Sequence, residues 1–231
     1  MTSFKVKIPK FLAFAAGLMT LSFGMNLLIV ADLGMTVHSV MPFVLNLAFP
    51  ALSLGTWSYL INFLYFAAIV IIMRKMTVKY LSSFGVAMLF GYALDFWRWL
   101  MYELVIDAFP LRILVFIAGS LTAAFGVAFF MISDYPLVPL DYFAKVVVNR
   151  YGFRFGVVKT TVDSSMCALS FLASLLLLHT VEGIGAGTIL LAVFLGSVIN
   201  KATQIFRRIF ECVDSGPDRF ILRLLTKTLV G

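Results

Sequence analysis

Few residues in this sequence can do chemistry, and those few stand in apolar surroundings. Lys159, Thr160, Thr161, Asp163, Ser164, Ser165, Cys167 and Ser170 make one segment unusually polar. Lys159 and Asp163 are four apart, so on a helix they share a face and can pair. Asn62, Asp95, Asn200 and Lys201 lie within or near the ends of other apolar stretches. An ionised side chain in hydrocarbon costs at least about 2.5–3.5 kcal/mol, so such groups must face a partner, water or the interior of a helix bundle. Asp163 with Lys159 is therefore either a neutralised pair joining helices or the lining of a cavity. In the second case Asp163 would hold a proton, a cation or a polar substrate group. Asp95 has Arg98 three residues on as a candidate partner.

Other chemistries lack their residues. No CxxC, HExxH, GxGxxG or P-loop pattern occurs, and His38 and His179 are far apart in sequence. These absences argue for no metal, no cofactor and no catalytic residues, and against an enzyme. Cys167 lies in an apolar stretch and Cys212 follows Arg207 and Arg208, an arrangement unsuited to a structural disulfide.

The elements that must position these groups follow from composition. Of 231 residues, 62% are hydrophobic and 13% charged. Soluble domains carry about 45–50% apolar and about 25% charged residues, and a water-soluble fold of this size cannot bury the excess. The chain is expected to be an all-α polytopic membrane protein, because its apolar runs are long and continuous rather than alternating as in a barrel. Six runs can span: about 11–31, 55–73, 80–101, 111–132, 156–178 and 184–206. Trp57, Trp97 and Trp99 mark span ends. Two further segments, 35–50 and 136–149, are apolar but short and contain Pro42, Pro50, Pro136 and Pro139, so they are expected to be interfacial or re-entrant helices. His38, Ser39 and Asp141 lie on them; His38 reads as an interfacial histidine.

The net charge of +7 does not imply nucleic acid, because the bases cluster between apolar runs. With the N-terminus inside, fifteen Lys and Arg fall in inside segments and only Arg98 and Arg112 outside. Both termini are thus expected on the cytoplasmic side. The tail 211–231 is expected to lie on the inner surface as an amphipathic helix.

The sequence also resembles itself. FLAFAAGLMTLSFGMNLLIVAD at 11–32 matches ILVFIAGSLTAAFGVAFFMISD at 113–134, with identities at Leu12/Leu114, Phe14/Phe116, Ala16/Ala118, Gly17/Gly119, Thr20/Thr122, Phe23/Phe125, Gly24/Gly126 and Asp32/Asp134. Further on, Ser39 corresponds to Asp141, Gly55 to Gly156 and Asn62 to Asp163. Ser83, Ala87, Gly91 and Asp95 correspond to Thr188, Ala192, Gly196 and Asn200. Stripes of small residues four apart, such as Ala16, Thr20 and Gly24, suit close helix packing in lipid. Two halves, 1–107 and 108–210, would each hold three spans and one short helix. Three is odd, so the halves would insert in opposite orientations. Inverted repeats of this kind are common in transporters, with the substrate site near the midplane.

LGMTVHSV at 33–40, LSLGTWSYLINF at 52–63, PLVPLDYF at 136–143 and GAGTILLAVFLGSVIN at 185–200 resemble motifs of YczE/YitT-type bacterial inner-membrane proteins. In place of that family's Pro, Trp and Asp, this chain has Val37, His38 and Ser39. The resemblance implies a fold and a bacterial inner membrane, not a substrate.

The expectation is a small secondary transporter or exporter of an unidentified small molecule or ion, working by alternating access. Asp163, Lys159 and Asn62 would form its centre, with Asp95 and Asn200 behind them. The alternative is a membrane-embedded substrate-binding or regulatory subunit without its own transport cycle, like the vitamin-binding subunits of energy-coupling-factor transporters. The partners expected are the lipid bilayer and the small molecule or ion; a homodimer or a partner protein also fits.

Overall fold

The computed structural model describes residues 5–214, apart from the side chains at 79, 155 and 156. The expected tail helix lies almost wholly outside the described residues. Eight helices follow one another: α1 (Lys10–Ala31), α2 (Val37–Ala48), α3 (Leu54–Met73), α4 (Val78–Leu100), α5 (Phe109–Ile132), α6 (Pro139–Tyr151), α7 (Phe155–Leu178) and α8 (Ala186–Ile209). Their ends have local causes. Asp32 stops α1 in a left-handed conformation, its N–H turned back to Leu28 and Ile29. The Ser53 hydroxyl caps α3 by accepting from the Thr56 N–H. Pro139 opens α6, where a missing N–H costs nothing, and Gly152 closes it at positive φ.

Five helices are long and apolar enough to cross a membrane: α1, α3, α5, α7 and α8. The sequence led to an expectation of six. α4 has the length, at 23 residues, but its serines, Asp95 and Arg98 lower its apolarity. α2 and α6, with 12 and 13 residues, reach only about 18–20 Å and cannot cross about 30 Å of hydrocarbon.

The antiparallel contact of α1 with α5 is the most extensive among the described residues, and glycine makes it possible. A Cβ at Gly17 would lie 2.8 Å from the Phe130 nitrogen, and one at Gly24 would lie 2.8 Å from the Gly119 carbonyl oxygen. The close approach runs through Gly17, Gly24, Gly119 and Gly126 rather than through Ala16 and Thr20, which are only half-buried. Around this pair, α1 packs on α4 and α5 on α8, while α2 packs on α7 and α6 on α3. At the ends of the pair, Asp32 binds Arg112 at 2.6 Å and Asp134 faces Lys10 at 3.8 Å.

One feature had no counterpart in the sequence reading. β1 (Val6–Pro9) and β2 (Phe210–Val213) form a two-stranded parallel ladder, with Val6 opposite Phe210 and Pro9 opposite Val213. It ties the two ends of the described chain together, and Lys10 binds Asp214 beside it at 2.9 Å.

Candidate functional site

The helices line a cavity of about 520 Å³, within the range usual for small-molecule sites. Its lining is mostly apolar. Two walls come from the starts of the short helices, at Thr36–Ser39 of α2 and Leu137–Asp141 of α6. The others come from α1, α3, α4, α5, α7 and α8.

The polar groups of the cavity gather where α2, α6 and α7 meet. The Lys159 ammonium lies 2.8 Å from Asp141 Oδ1, 3.2 Å from Asp163 Oδ1 and 3.0 Å from His38 Nε2. Asp163 Oδ1 lies 3.7 Å from the same ring nitrogen. An ammonium only donates, so His38 Nε2 accepts from it, and the neutral ring carries its proton on Nδ1. Neither His38 Nδ1 nor Asp163 Oδ1 reaches solvent, and neither makes a hydrogen bond of acceptable geometry.

Asn62 lines the cavity from α3. Its Nδ2 donates to the Ser58 carbonyl at 3.0 Å, and its Oδ1 accepts from the Leu140 N–H at 3.3 Å. Asn62 thus holds the first turn of α6 as Asp163 faces the first turn of α2. Charge at the junction nearly cancels. Two carboxylates meet one ammonium, and two helix N-termini add about half a positive charge each. Lys145, the other base of the lining, is exposed to solvent.

Of the residues singled out in the sequence, Asn62, Lys159, Asp163 and Asn200 line this cavity, and Asn200 is exposed within it. Asp95 does not line it. Nor does Asp95 pair with Arg98 in the ion pairs of the described residues: its carboxylate accepts from the Ser53 hydroxyl at 2.5 Å and from the Gly55 N–H at 2.7 Å. It closes the seam between α3 and α4. The sequence reading left His38 at the interface, but the fold carries it into the charged junction. Its position in the first turn of a short helix, matching Leu140 in the second half, was the available signal. Asn26 was missed entirely: it is buried in α1 and donates to the Leu94 carbonyl of α4 at 3.2 Å.

The α3–α4 seam and the α7–α8 side, which the sequence expectation paired, are packed differently. Gly55 and Gly91 touch across α3 and α4, so that a Cβ on Gly91 would lie 2.7 Å from the Gly55 carbonyl oxygen. Gly196, the counterpart of Gly91 on α8, has nothing within 4 Å of where a Cβ would be. Ser83 and Ala87 are buried on α4, whereas Ala192 on α8 is exposed. α7 packs on α2 and α6 and α8 packs on α5, and among the described residues α7 and α8 have at most a marginal contact with one another.

Residues 8–204 match a family of unknown function, DUF6198. The chain belongs to that family. The match spans all eight helices up to the last turns of α8, so the cavity of this DUF6198 protein lies wholly within it. No curated protein and no solved structure matches the chain. Among the described residues of the DUF6198 chain, no group of three His, Cys, Asp or Glu side chains is placed to hold a metal ion.

Proposed function

We propose that the chain is a small secondary transporter working by alternating access, built as two repeats, 1–107 and 108–210, inserted in opposite orientations. Exchanged partners support the repeat: α2 meets α7 as α6 meets α3, and α1 meets α4 as α5 meets α8. Asp32 and Asp134 each face the base that opens the other half's first helix, Arg112 and Lys10. α4 counts as a sixth span in this reading, since Asp95 is hydrogen-bonded rather than bare in the membrane. The likeness to YczE/YitT-type proteins agrees with a bacterial inner-membrane location.

The observation that carries the reading is the unlike packing of the two equivalent seams around one cavity. With the N-terminus inside, α3 begins and α4 ends on the outer side, where the seam is shut. α7 begins and α8 ends on the inner side, where the helices stand apart. The molecule then faces inward, and exchanging the two packings would turn it outward at little cost in contact chemistry. Asp163, Lys159, Asp141, His38 and Asn62 form the central site, Asn200 belongs to the inner gate and Asp95 to the outer one.

Labelling tests this. In a protein with Cys167 and Cys212 replaced by serine, Gly196→Cys is expected to react with an impermeant maleimide from the cytoplasmic side and scarcely from outside. Gly91→Leu, which wedges α3 from α4, is expected to raise labelling from outside. Equal labelling from both sides, or a folded Gly91→Leu protein with an unaltered pattern, would overturn the reading. Flux by the purified protein alone in liposomes separates a transporter from a binding subunit that needs a partner.

A further inference from the structure

We infer that the cavity takes an uncharged amphiphile, with an apolar tail and a head that both donates and accepts hydrogen bonds, and that it reaches the cavity from the bilayer between α7 and α8. The inference deepens the transport reading by naming a class of cargo, but the binding it describes does not require a transport cycle.

The route follows from the packing. A helix bundle in a membrane is bounded by lipid. α7 is held by α2 and α6, α8 is held by α5, and among the described residues α7 and α8 share at most a marginal contact. Both helices line the cavity, and Gly196, facing it, meets nothing within 4 Å. The gap therefore opens sideways. A molecule dissolved in hydrocarbon can pass through it without shedding its tail's surroundings, since the cavity wall offers the same apolar contact.

The head follows from the charged junction. A ligand with net charge would have to be matched by an opposite charge. Here two carboxylates are already balanced by the Lys159 ammonium and the ends of two helices. Lys145 adds a base at a solvent-exposed position, where water screens it. What remains unmet is hydrogen bonding. Asp163 Oδ1 is a buried acceptor whose near donor, the Lys159 ammonium at 3.2 Å, is poorly aligned with it, and His38 Nδ1–H is a buried donor lacking an acceptor among the described residues. The His38 ring and the Asp163 carboxylate adjoin, 3.7 Å apart at Nε2 and Oδ1. A primary amide or a hydroxyl can donate to one and accept from the other. A carboxylate can only accept, and an ammonium can only donate.

The test uses the full chain in nanodiscs, with bare nanodiscs as the partition blank and labelled octanamide as the probe. Octanoate and octylammonium, which share its chain length, compete. Saturable octanamide binding is expected, with each charged analogue weaker by about tenfold or more, the loss that follows when a buried charge goes unmatched. Absence of saturable binding, or a charged analogue binding as well as the amide, would overturn the assignment of the head. This arm needs no substitution, so it stands even if Asp163→Leu fails to fold. For the route, Gly196→Trp fills the gap and is expected to slow octanamide association while leaving Gly196→Ala unaffected. A folded Gly196→Trp protein with an unaltered rate would overturn the lateral path. Transport fails separately: binding with no flux in liposomes removes the cycle and keeps the site, whereas flux of a charged compound without octanamide binding does the reverse.

Discussion

The seam between α3 and α4 and the gap between α7 and α8 are built from corresponding residues and end up in opposite states. On one side Gly91 meets the Gly55 carbonyl, Ser83 and Ala87 are buried, and Asp95 holds the start of α3. On the other, Gly196 and Ala192 face space, Asn200 is exposed in the cavity, and no side chain caps α7. Small residues at helical spacing thus do not by themselves decide that two helices touch. They make contact available at low steric cost, and the rest of the bundle determines which of two such seams is shut. In the proposed transport cycle, exchanging the closed and the open seam would be the switch.

Substitution at the paired glycines should separate the seams most widely. Gly91→Leu drives a side chain into the Gly55 backbone, with 2.7 Å available at Cβ. Overpacking of this kind costs about 1–3 kcal/mol. Gly196→Leu extends into open space and should stay within about 0.5 kcal/mol. Thermal unfolding of the purified proteins checks both. Similar losses at the two positions would mean that the gap between α7 and α8 is closed in the bilayer.

The acidic cap should give the next largest difference. Asp95→Ala removes a carboxylate from the Ser53 hydroxyl and the Gly55 N–H, at 2.5 and 2.7 Å. Hydrogen bonds to a charged group contribute about 1.5–3 kcal/mol, and the N-terminus of α3 adds a favourable dipole. Asn200→Ala removes no hydrogen bond or ion pair found among the described residues and should leave the unfolding midpoint nearly unchanged. Hydrogen exchange at the first turn of α3 gives a local readout, expected to rise in Asp95→Ala and not in Asn200→Ala. If Asn200→Ala proved as damaging, Asn200 would be engaged in the bilayer as Asp95 is.

These contrasts show where sequence reasoning carried and where it stopped. The helices were legible, short ones included, because apolar runs, prolines and loop bases mark their ends. Their neighbours were not. In a chain that is 62% hydrophobic, lipid-facing and buried faces are both apolar, so periodicity cannot say which side of a helix meets protein. Lys159 with Asp163 could be paired from their spacing alone. Asp141 and His38, 18 and 121 residues from Lys159, could join them only once α6 and α2 were placed. Proximity offers Arg98 as a candidate partner for Asp95, whereas the carboxylate accepts from a helix N-terminus 40 residues away. The β1–β2 ladder was least legible: four-residue strands carry little alternation, and their pairing closes almost the whole chain.

The smallest contrast lies at the two ends of the α1–α5 contact, where the correspondence pairs Arg112 with Lys10. Arg112 donates to the Ala31 carbonyl at 2.8 Å, to the Asp32 carbonyl and to the Asp32 carboxylate at 2.6 Å, so its fork satisfies the last carbonyls of α1 as well as a charge. Lys10 faces Asp134 at 3.8 Å and Asp214 at 2.9 Å, as a point charge shared between two carboxylates. Both acids of the exchanged pairs are largely exposed, which holds each contribution to the order of 1 kcal/mol or less. Arg112→Ala should cost about 0.5–1 kcal/mol and persist in high salt, because backbone carbonyls lose their donor. Lys10→Ala should cost less than about 0.5 kcal/mol and vanish as salt screens the pairs. Arg112→Lys should recover only part of the loss, since an ammonium cannot reach carbonyls and carboxylate together. Equal, salt-sensitive losses at both ends would show that the carbonyl bonds of Arg112 contribute nothing, leaving the two ends alike in energy as they are in sequence.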